Sequence, residues 1–224
     1  MEKDTSKIFT GERYVPGIQN DELEIEHFQR YESIVELVKD RVVVDAACGE
    51  GYGSAILASV AECVLGIDIN PEAVERASRH YAKDNLTFKV GSIAELPIED
   101  HTVDVFVSFE TIEHVSQEIQ SVFVKEVARV LKPEGIFIVS SPNKEIYSDL
   151  FGYHNEFHVH EMYRGEFCDL LHQHFQNVNL YQQYFEVASV IDNNDIVADK
   201  AVYKKNRETY TSDGKYYIAV AANR

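Results

Sequence analysis

The chain has 224 residues, a length typical of one generous domain and sufficient to bury a core without metal or disulfide staples. Apolar residues make up 45% and charged residues 26% of the chain, close to ordinary globular usage, which excludes disordered and fibrous classes. The 21 Lys and Arg residues against 38 Asp and Glu residues give a net charge of −17, which argues against broad binding to nucleic acid or to an anionic membrane surface.

The three cysteines, Cys48, Cys63 and Cys168, form no CxxC pair and predict a reduced, cytoplasmic protein. The first residues, MEKDTSKIFTGERY, lack the apolar segment of a secretory signal. Because no stretch approaches about 18 uninterrupted apolar residues, we expect no transmembrane helix.

Residues 1–41 precede the first predicted strand and are interpreted as a helical lid segment, with its helix near 22–38. From residue 42 strands and helices alternate, which predicts an α/β fold with a doubly wound, mostly parallel sheet and helices on both faces. The predicted strands cover 42–44, 64–69, 86–90, 103–108, 136–139, 178–181 and 216–221, and the predicted helices cover 54–60, 119–131, 162–175 and a segment that starts at Pro71 with Asn70 as its N-cap. The polar segment 182–215 is long for a strand connection and indicates a functional flap or a mobile loop.

The strongest local signal is DAACGEGYG, residues 45–53, between the first predicted strand and the helix after it. Glycines let the backbone pass close to a ligand, and ligands of such sheets bind at the carboxyl ends of the strands. Asp68, at the end of the second strand, can accept hydrogen bonds from both hydroxyls of a ribose, so the two features together predict a nucleoside pocket. A glycine-rich turn can also serve packing alone. The chain has neither a P-loop nor a GxGxxG dinucleotide fingerprint.

At this point the chain resembles the class I S-adenosylmethionine-dependent methyltransferases. The motifs VVVDAACGEGYGS, GIDIN, KVGSIAELPIEDHTVDVFVS, FETIEHV and RVLKPEGIFIVSSPN stand in the family's order over residues 40–182. The resemblance implies a Rossmann-like sheet of seven strands with an antiparallel last strand, a lid segment at 1–41 and a cofactor-binding domain at 42–224. The family often has Gly in place of Ala47 and Asp in place of Ser92.

The same resemblance implies a set of contacts with S-adenosylmethionine. The turn would contact the methionine part, Asp68 the ribose and Ile69 the adenine. The lid segment is similar to that of some bacterial methyltransferases linked to sugar and polysaccharide pathways. The implied cofactor contacts are Asp45, Ala47, Gly49, Gly51, Asp68, Ile69, Ser92, Ile93 and Phe109, with Tyr14, Arg30 and Tyr31 from the lid segment.

Glu110, Glu113 and His114 follow the fourth predicted strand with the spacing ExxEH. Two carboxylates and an imidazole can hold a divalent ion such as Mg²⁺, with His158 or His160 as a further ligand. ExxEH also resembles the metal-binding motif of ubiquinone-biosynthesis O-methyltransferases and of small-RNA 3′-terminal 2′-O-methyltransferases. His114 could instead act as a general base without metal, assisted by Glu113, His158 and His160, and a structural role is the third alternative.

The leading hypothesis is methyl transfer from S-adenosylmethionine to a hydroxyl of a small sugar, sugar-linked or phenolic acceptor. The alternatives are a metal-dependent RNA ribose 2′-O-methyltransferase, against which the charge of −17 counts, and a cofactor-binding partner without catalysis. The expected partner is a small molecule, nucleic acid is not expected, and segment 182–215 suggests pairing with a second copy as a homodimer.

Overall fold

The computed structural model describes residues 21–184, 188–191, 201–204 and 214–223. Tyr14 lies outside the described residues, and so does most of the segment 182–215, for which we predicted a functional flap or a mobile loop. No helix in the described part of the chain is long and apolar enough to cross a membrane.

Nine strands and six α-helices make up the described fold. The strands are β1 (Val42–Ala46), β2 (Cys63–Asp68), β3 (Leu86–Val90), β4 (Val103–Ser108), β5 (Leu131–Pro142), β6 (Asn177–Gln183), β7 (Ala188–Ile191), β8 (Ala201–Lys204) and β9 (Tyr216–Ala222). The helices are α1 (Asp21–Ser33), α2 (Val35–Val38), α3 (Tyr52–Leu57), α4 (Pro71–Tyr81), α5 (Gln117–Val130) and α6 (Arg164–His172), with a 3-10 turn at Ile112–His114 and a π-helical turn at Glu145–Leu150.

Seven strands form one sheet in the order β3-β2-β1-β4-β5-β9-β6. The pairs β3-β2, β2-β1, β1-β4 and β4-β5 are parallel, whereas β9 is antiparallel to both β5 and β6. This topology confirms the predicted Rossmann-like, mostly parallel sheet with an antiparallel last strand. Because parallel strands end at one edge, the carboxyl ends of β1, β2, β4 and β5 lie side by side and position the candidate site.

The central strands of the sheet are buried on both faces. Phe106 of β4 packs with Phe123 of α5 and with Val127 on one face, while Val105 and Val107 of the same strand belong to the cluster on the other face. Continuous apolar strands are expected where helices cover both faces, because alternate side chains point to opposite sides.

Two predictions about strands were wrong in detail. β5 begins at Leu131 and not at Ile136, because the KPEG sequence after α5 is extended and belongs to the strand. The pairing of β5 with β4 has a register irregularity between Val103 and Val105. Within the segment predicted as a loop, β7 pairs antiparallel with β8 as a separate two-stranded sheet. Both strands have only four residues and lie in a polar segment, so the sequence pattern does not reveal them.

Helix α4 begins where the sequence predicts. The side chain of Asn70 accepts hydrogen bonds from the backbone N–H groups of Glu72 and Ala73, and Pro71 occupies the first helical position. A capped start fixes the direction of the chain directly after Asp68. The helix therefore places the end of β2 at a defined point of the site.

Candidate active site

The glycine turn, residues 46–51, connects β1 to α3 and contains three left-handed residues. The backbone φ angle is 56° at Ala47, 54° at Gly49 and 84° at Gly51. Glycine adopts this region without steric cost, whereas the Cβ atom of Ala47 makes it strained. A Cβ atom added at Gly51 would lie 2.7 Å from the Cβ atom of Ala77 in α4. The turn is thus held in an unusual backbone shape at the carboxyl end of β1.

Asp68 closes this turn from the neighbouring strand. Its Oδ2 accepts a hydrogen bond of 2.8 Å from the backbone N–H of Gly49, and its Oδ1 accepts one of 2.8 Å from the backbone N–H of Asn70. A carboxylate offers about four lone-pair positions, so each oxygen can accept one more hydrogen bond. Asp68 is therefore fixed by the backbone and still able to accept from two adjacent hydroxyls.

Asp45 is fully buried at the end of β1. Its Oδ2 accepts a hydrogen bond of 2.6 Å from Oγ of Ser54 in α3, and its Oδ1 accepts one of 3.2 Å from the hydroxyl of Tyr31 in α1. Burial raises the pKa of Asp45 to about 7, and the two hydrogen bonds act in the opposite direction. The carboxylate ties the two ends of the turn together, and its contact with a cofactor stays a prediction.

The predicted adenine side lies beyond the ends of β2 and β3. Ile69 is 72% exposed, an unusual position for an isoleucine next to a buried strand. Ile93 is half-buried and packs against the core, while Oγ of Ser92 accepts a hydrogen bond of 3.2 Å from the backbone N–H of Ala94. An exposed apolar side chain here offers a surface for a flat ring, and Ser92 is already engaged in its own turn.

Arg30 of α1, predicted as a lid contact, is buried with 1% exposure. Its Nε donates a hydrogen bond of 2.7 Å to Oε1 of Gln183, and its guanidinium carbon lies 4.4 Å from the centroid of the Tyr216 ring. Its Nη2 lies 3.7 Å from Oε2 of Glu110. Neither Nη1 nor Nη2 has a hydrogen-bond partner among the described residues, so this buried cation has unused donors.

Phe109 and Glu110 stand at the carboxyl end of β4. Phe109 is 7% exposed, and its ring meets the ring of Tyr31 edge-on at a centroid distance of 5.0 Å. Glu110 has a φ angle of 50°, its N–H donates a hydrogen bond of 2.9 Å to Oγ of Ser140, and Ser140 donates one of 2.7 Å back to Oε1 of Glu110. The left-handed backbone therefore directs Glu110 toward β5.

Glu113 is a fully buried carboxylate in the 3-10 turn. Its backbone carbonyl accepts hydrogen bonds of 2.9 Å and 3.0 Å from the N–H groups of Val159 and His160, which fixes its main chain. Neither carboxylate oxygen has a hydrogen-bond partner within the described ranges. Burial, and next the charge of Glu110, raise the pKa of Glu113 well above its ordinary value.

The hydrogen bonds of His114 and His158 indicate their tautomers. Nδ1 of His114 lies 3.0 Å from the carbonyl oxygen of Phe157, and Nδ1 of His158 lies 2.5 Å from a carboxylate oxygen of Glu161. Since both partners are acceptors, each Nδ1 donates, and each neutral ring carries its lone pair on Nε2. Asn155 donates a hydrogen bond of 3.0 Å to Nε2 of His158. Metal-binding histidines in proteins commonly have such a second hydrogen bond from the other nitrogen.

Three of the four predicted metal ligands lie together. One ligand atom each from Glu113, His114 and His158 lies within 4.8 Å of the others, and Nε2 of His114 is 3.8 Å from Oε1 of Glu113. Glu110 stands apart from this group because of its bonds to Ser140. His160 also stands apart, since its Nδ1 donates a hydrogen bond of 2.9 Å to Oε1 of Gln120.

Sequence reasoning missed the side chains that support the site, because each lies far along the chain from the motif it serves. Ser140 holds Glu110, Gln183 holds Arg30 and Gln120 holds His160. Gln120 and Gln183 belong to no motif, whereas Ser140 lies in the motif RVLKPEGIFIVSSPN directly after the predicted strand 136–139, which was the available signal. A cavity of about 470 Å³ between α1 and the β6–β9 edge is lined by Gln29, Arg30, Ser33, Gln182, Gln183 and Tyr184.

Comparison with known proteins finds methyltransferases among the matches. Residues 44–139 match a family described as a methyltransferase domain. The chain is 37% identical over 167 residues to a probable S-adenosylmethionine-dependent methyltransferase of Mycolicibacterium smegmatis, covering 72% of this chain and 62% of that protein. It is 31% identical over 116 residues to a ubiquinone biosynthesis O-methyltransferase of Pelagibacter ubique, covering 51% of this chain and 47% of that protein.

The fold comparison agrees. A Thermotoga maritima structure described as an S-adenosylmethionine-dependent methyltransferase, possibly a histamine N-methyltransferase, superposes with a TM-score of 0.65 at 15% identity and covers 90% of both chains. At that identity the likeness shows the fold alone. The chain spans about three fifths of the length of the mycobacterial relatives that it matches, 62% and 58%.

Proposed function

Because the chain belongs to the class I S-adenosylmethionine-dependent methyltransferases, we propose that it transfers the methyl group of S-adenosylmethionine to a hydroxyl of a small sugar, sugar-linked or phenolic acceptor. The sulfonium methyl is already activated, so the protein has to position the two reactants, exclude water and remove the acceptor's proton.

The observation that carries the cofactor proposal is the arrangement of Asp68. Its carboxylate is held by the backbone of the glycine turn and of the α4 start, with acceptor capacity left for the two ribose hydroxyls. Exposed Ile69 would pack on the adenine, next to Ser92 and Ile93. Gly49 and its neighbours would lie along the methionine part, with Phe109 beside the sulfonium.

The acceptor would lie at the carboxyl ends of β4 and β5. Glu113, His114 and His158 provide a carboxylate and two imidazoles there. Nε2 of His114 carries a lone pair in the neutral ring and can accept the hydroxyl proton. The raised pKa of Glu113 means that this carboxyl group keeps its proton to higher pH, which avoids a second negative charge near Glu110. The cavity beside Arg30 has Gln29, Gln182 and Gln183 in its lining, which supports an acceptor with hydroxyls, while Ile25 and Ile218 give the same lining an apolar surface.

The test is a transfer assay with methyl-labelled S-adenosylmethionine and a panel of acceptors, namely free and nucleotide-linked sugars, catechols and hydroxybenzoates. We expect label on the oxygen of a sugar or phenol and stoichiometric S-adenosylhomocysteine. Label on an amine only, or cofactor binding without transfer to any panel member, would contradict the proposal about the acceptor.

A metal-assisted version of this reaction has a specific observation in its favour. The two oxygens of Glu113 are buried without hydrogen-bond partners among the described residues, and His114 and His158 each donate from Nδ1 to an acceptor, as metal-binding histidines commonly do. An ion bound at Nε2 of His158 would replace the hydrogen bond that this nitrogen accepts from Asn155. These three residues would hold a divalent ion, which when bound lowers the pKa of a coordinated hydroxyl. The donor set fits Mn²⁺ or Zn²⁺ as well as Mg²⁺.

Metal binding can be measured without turnover. We expect MnCl₂ or ZnCl₂ to raise the melting temperature of the wild-type protein and to leave that of His114→Ala with His158→Ala unchanged. An equal shift in both proteins, or no shift in either, would favour His114 as a general base that acts alone.

A further inference from the structure

Tyr31 connects three parts of the site through one buried side chain. Its hydroxyl donates to Oδ1 of Asp45 at 3.2 Å, and its ring meets Phe109 edge-on at 5.0 Å. The ring also lies on the backbone of Gly53, where an added Cβ atom would come within 2.1 Å of the Tyr31 Cζ atom. Only glycine at position 53 leaves room for the Tyr31 ring, so helix α1 packs closely against the first turn of α3.

Asp45 transmits this contact to the glycine turn. Residue 45 precedes the turn, and Ser54, which donates to the other carboxylate oxygen at 2.6 Å, follows it. Fixing the carboxylate therefore fixes both ends of the segment that holds the left-handed residues Ala47, Gly49 and Gly51. Without the Tyr31 hydroxyl, one buried oxygen of Asp45 would lose its hydrogen-bond donor, which is strongly unfavourable in a site that excludes water.

We infer that Tyr31 is a positioning residue, which acts through Asp45 to hold the glycine turn in the shape that binds S-adenosylmethionine. The inference rests on the proposed function for its ligand. It gives the lid segment a role in the cofactor site that does not require contact with the cofactor, because α1 stabilises the turn through the hydrogen bond from Tyr31 to Asp45.

The burial of Tyr31 supports this role over a direct contact. The residue is 5% exposed, with its ring enclosed by Tyr52, Phe109 and the Gly53 backbone. Its pKa is raised well above the ordinary value by burial and by the charge of Asp45, so the hydroxyl keeps the proton that it donates.

The test is calorimetric titration of S-adenosylhomocysteine into wild type, Tyr31→Phe, Asp45→Ala and the double variant. We expect Tyr31→Phe to weaken affinity roughly tenfold at full stoichiometry, the loss usual for a hydrogen bond to a charged group. A folding defect would instead lower the number of binding sites and leave the dissociation constant of the folded fraction unchanged.

The double variant decides whether Tyr31 acts through Asp45. We expect Tyr31→Phe to cause no further loss in the Asp45→Ala background, whereas additive losses would overturn the coupling. Ser54→Ala, which removes the other partner of Asp45, should weaken affinity in the same way.

Tyr163 provides a matched control. Its hydroxyl also donates to an aspartate, Asp149 at 3.0 Å, but on an exposed surface away from the turn. Tyr163→Phe should bind S-adenosylhomocysteine as wild type does. If Tyr31→Phe also binds as wild type, the inference is wrong, while failure of wild type itself to bind would contradict the proposed function instead.

Discussion

The two sides of the site differ in how their buried polar atoms are satisfied. On the cofactor side, Asp45 and Asp68 each accept hydrogen bonds with both carboxylate oxygens. On the proposed acceptor side, the oxygens of Glu113 are buried without hydrogen-bond partners among the described residues, and so are the terminal nitrogens of Arg30, a predicted cofactor contact whose Nη2 lies 3.7 Å from Glu110. The chain thus assembles the cofactor side from its own groups and leaves donors and acceptors unused where the second reactant would arrive.

This difference has an energetic meaning. Unpartnered buried groups cost stability, about 1 to 3 kcal/mol each and more when charged. Proteins retain such groups at functional sites, where activity and stability make opposite demands. Substitutions on the acceptor side should therefore separate activity from stability, whereas those on the cofactor side should weaken both.

The largest expected effect is on turnover by Glu113→Gln. Replacing this carboxyl group removes a metal ligand or the group that lies 3.8 Å from Nε2 of His114, and we expect turnover to fall roughly a thousandfold, within the range of acid–base catalysis. Affinity for S-adenosylhomocysteine should stay within twofold of wild type. The assay uses the acceptor that the panel identifies, with exposed Glu118→Gln as control. Wild-type turnover in Glu113→Gln would remove Glu113 from the chemistry.

The same variant should be more stable than wild type at high pH. Burial raises the pKa of Glu113 in the folded state, so the folded protein holds this proton where the unfolded chain has released it. The group's contribution to stability is therefore full below the unfolded pKa and is lost as pH rises toward the folded pKa. Glutamine does not titrate, and we expect a gain of about 1 to 3 kcal/mol at pH 8 that shrinks toward pH 4.

Urea denaturation at the two pH values measures this gain. Glu110→Gln is the control, because Oε1 of Glu110 already accepts a hydrogen bond from Ser140. A loss of stability in Glu113→Gln at pH 8 would mean that the carboxylate has a stabilising partner in the protein.

The smallest expected effect is on the cofactor side, at Asn70. Removing its cap with Asn70→Ala should cost about 1 kcal/mol of unfolding free energy, since two backbone N–H groups of α4 lose their acceptor. The hydrogen bond from the Asn70 backbone to Asp68 does not involve the side chain, so affinity for S-adenosylhomocysteine should fall by less than threefold. A larger fall would show that the cap also orients Asp68.

The sequence predicted the bounds of several elements correctly. β3 and β4 have the predicted bounds, and α4 starts at Pro71 after the Asn70 cap. The strand pair β7–β8 was missed, because four-residue runs carry too little periodicity to stand out in a polar segment.

The site was predictable to the extent that it depends on local sequence. The glycine turn and Asp68 lie together, as expected for residues that end adjacent parallel strands. The metal site was predicted with four ligands, and three of them lie together. Glu110 does not join them because its left-handed backbone directs the side chain to Ser140, which residue spacing cannot show. The burial of Arg30 and Tyr31 depends on packing between distant segments, which a pattern in one segment does not record.

The most direct test of the central claim is calorimetric titration of S-adenosylhomocysteine into wild type and Asp68→Ala. We predict one site per chain for wild type and an affinity at least about a hundredfold weaker for Asp68→Ala, because a charged acceptor of two ligand hydroxyls is lost. Arg79→Ala removes only an exposed pair with Glu75 and should bind as wild type. Equal affinity in wild type and Asp68→Ala, or no binding to wild type, would contradict the account.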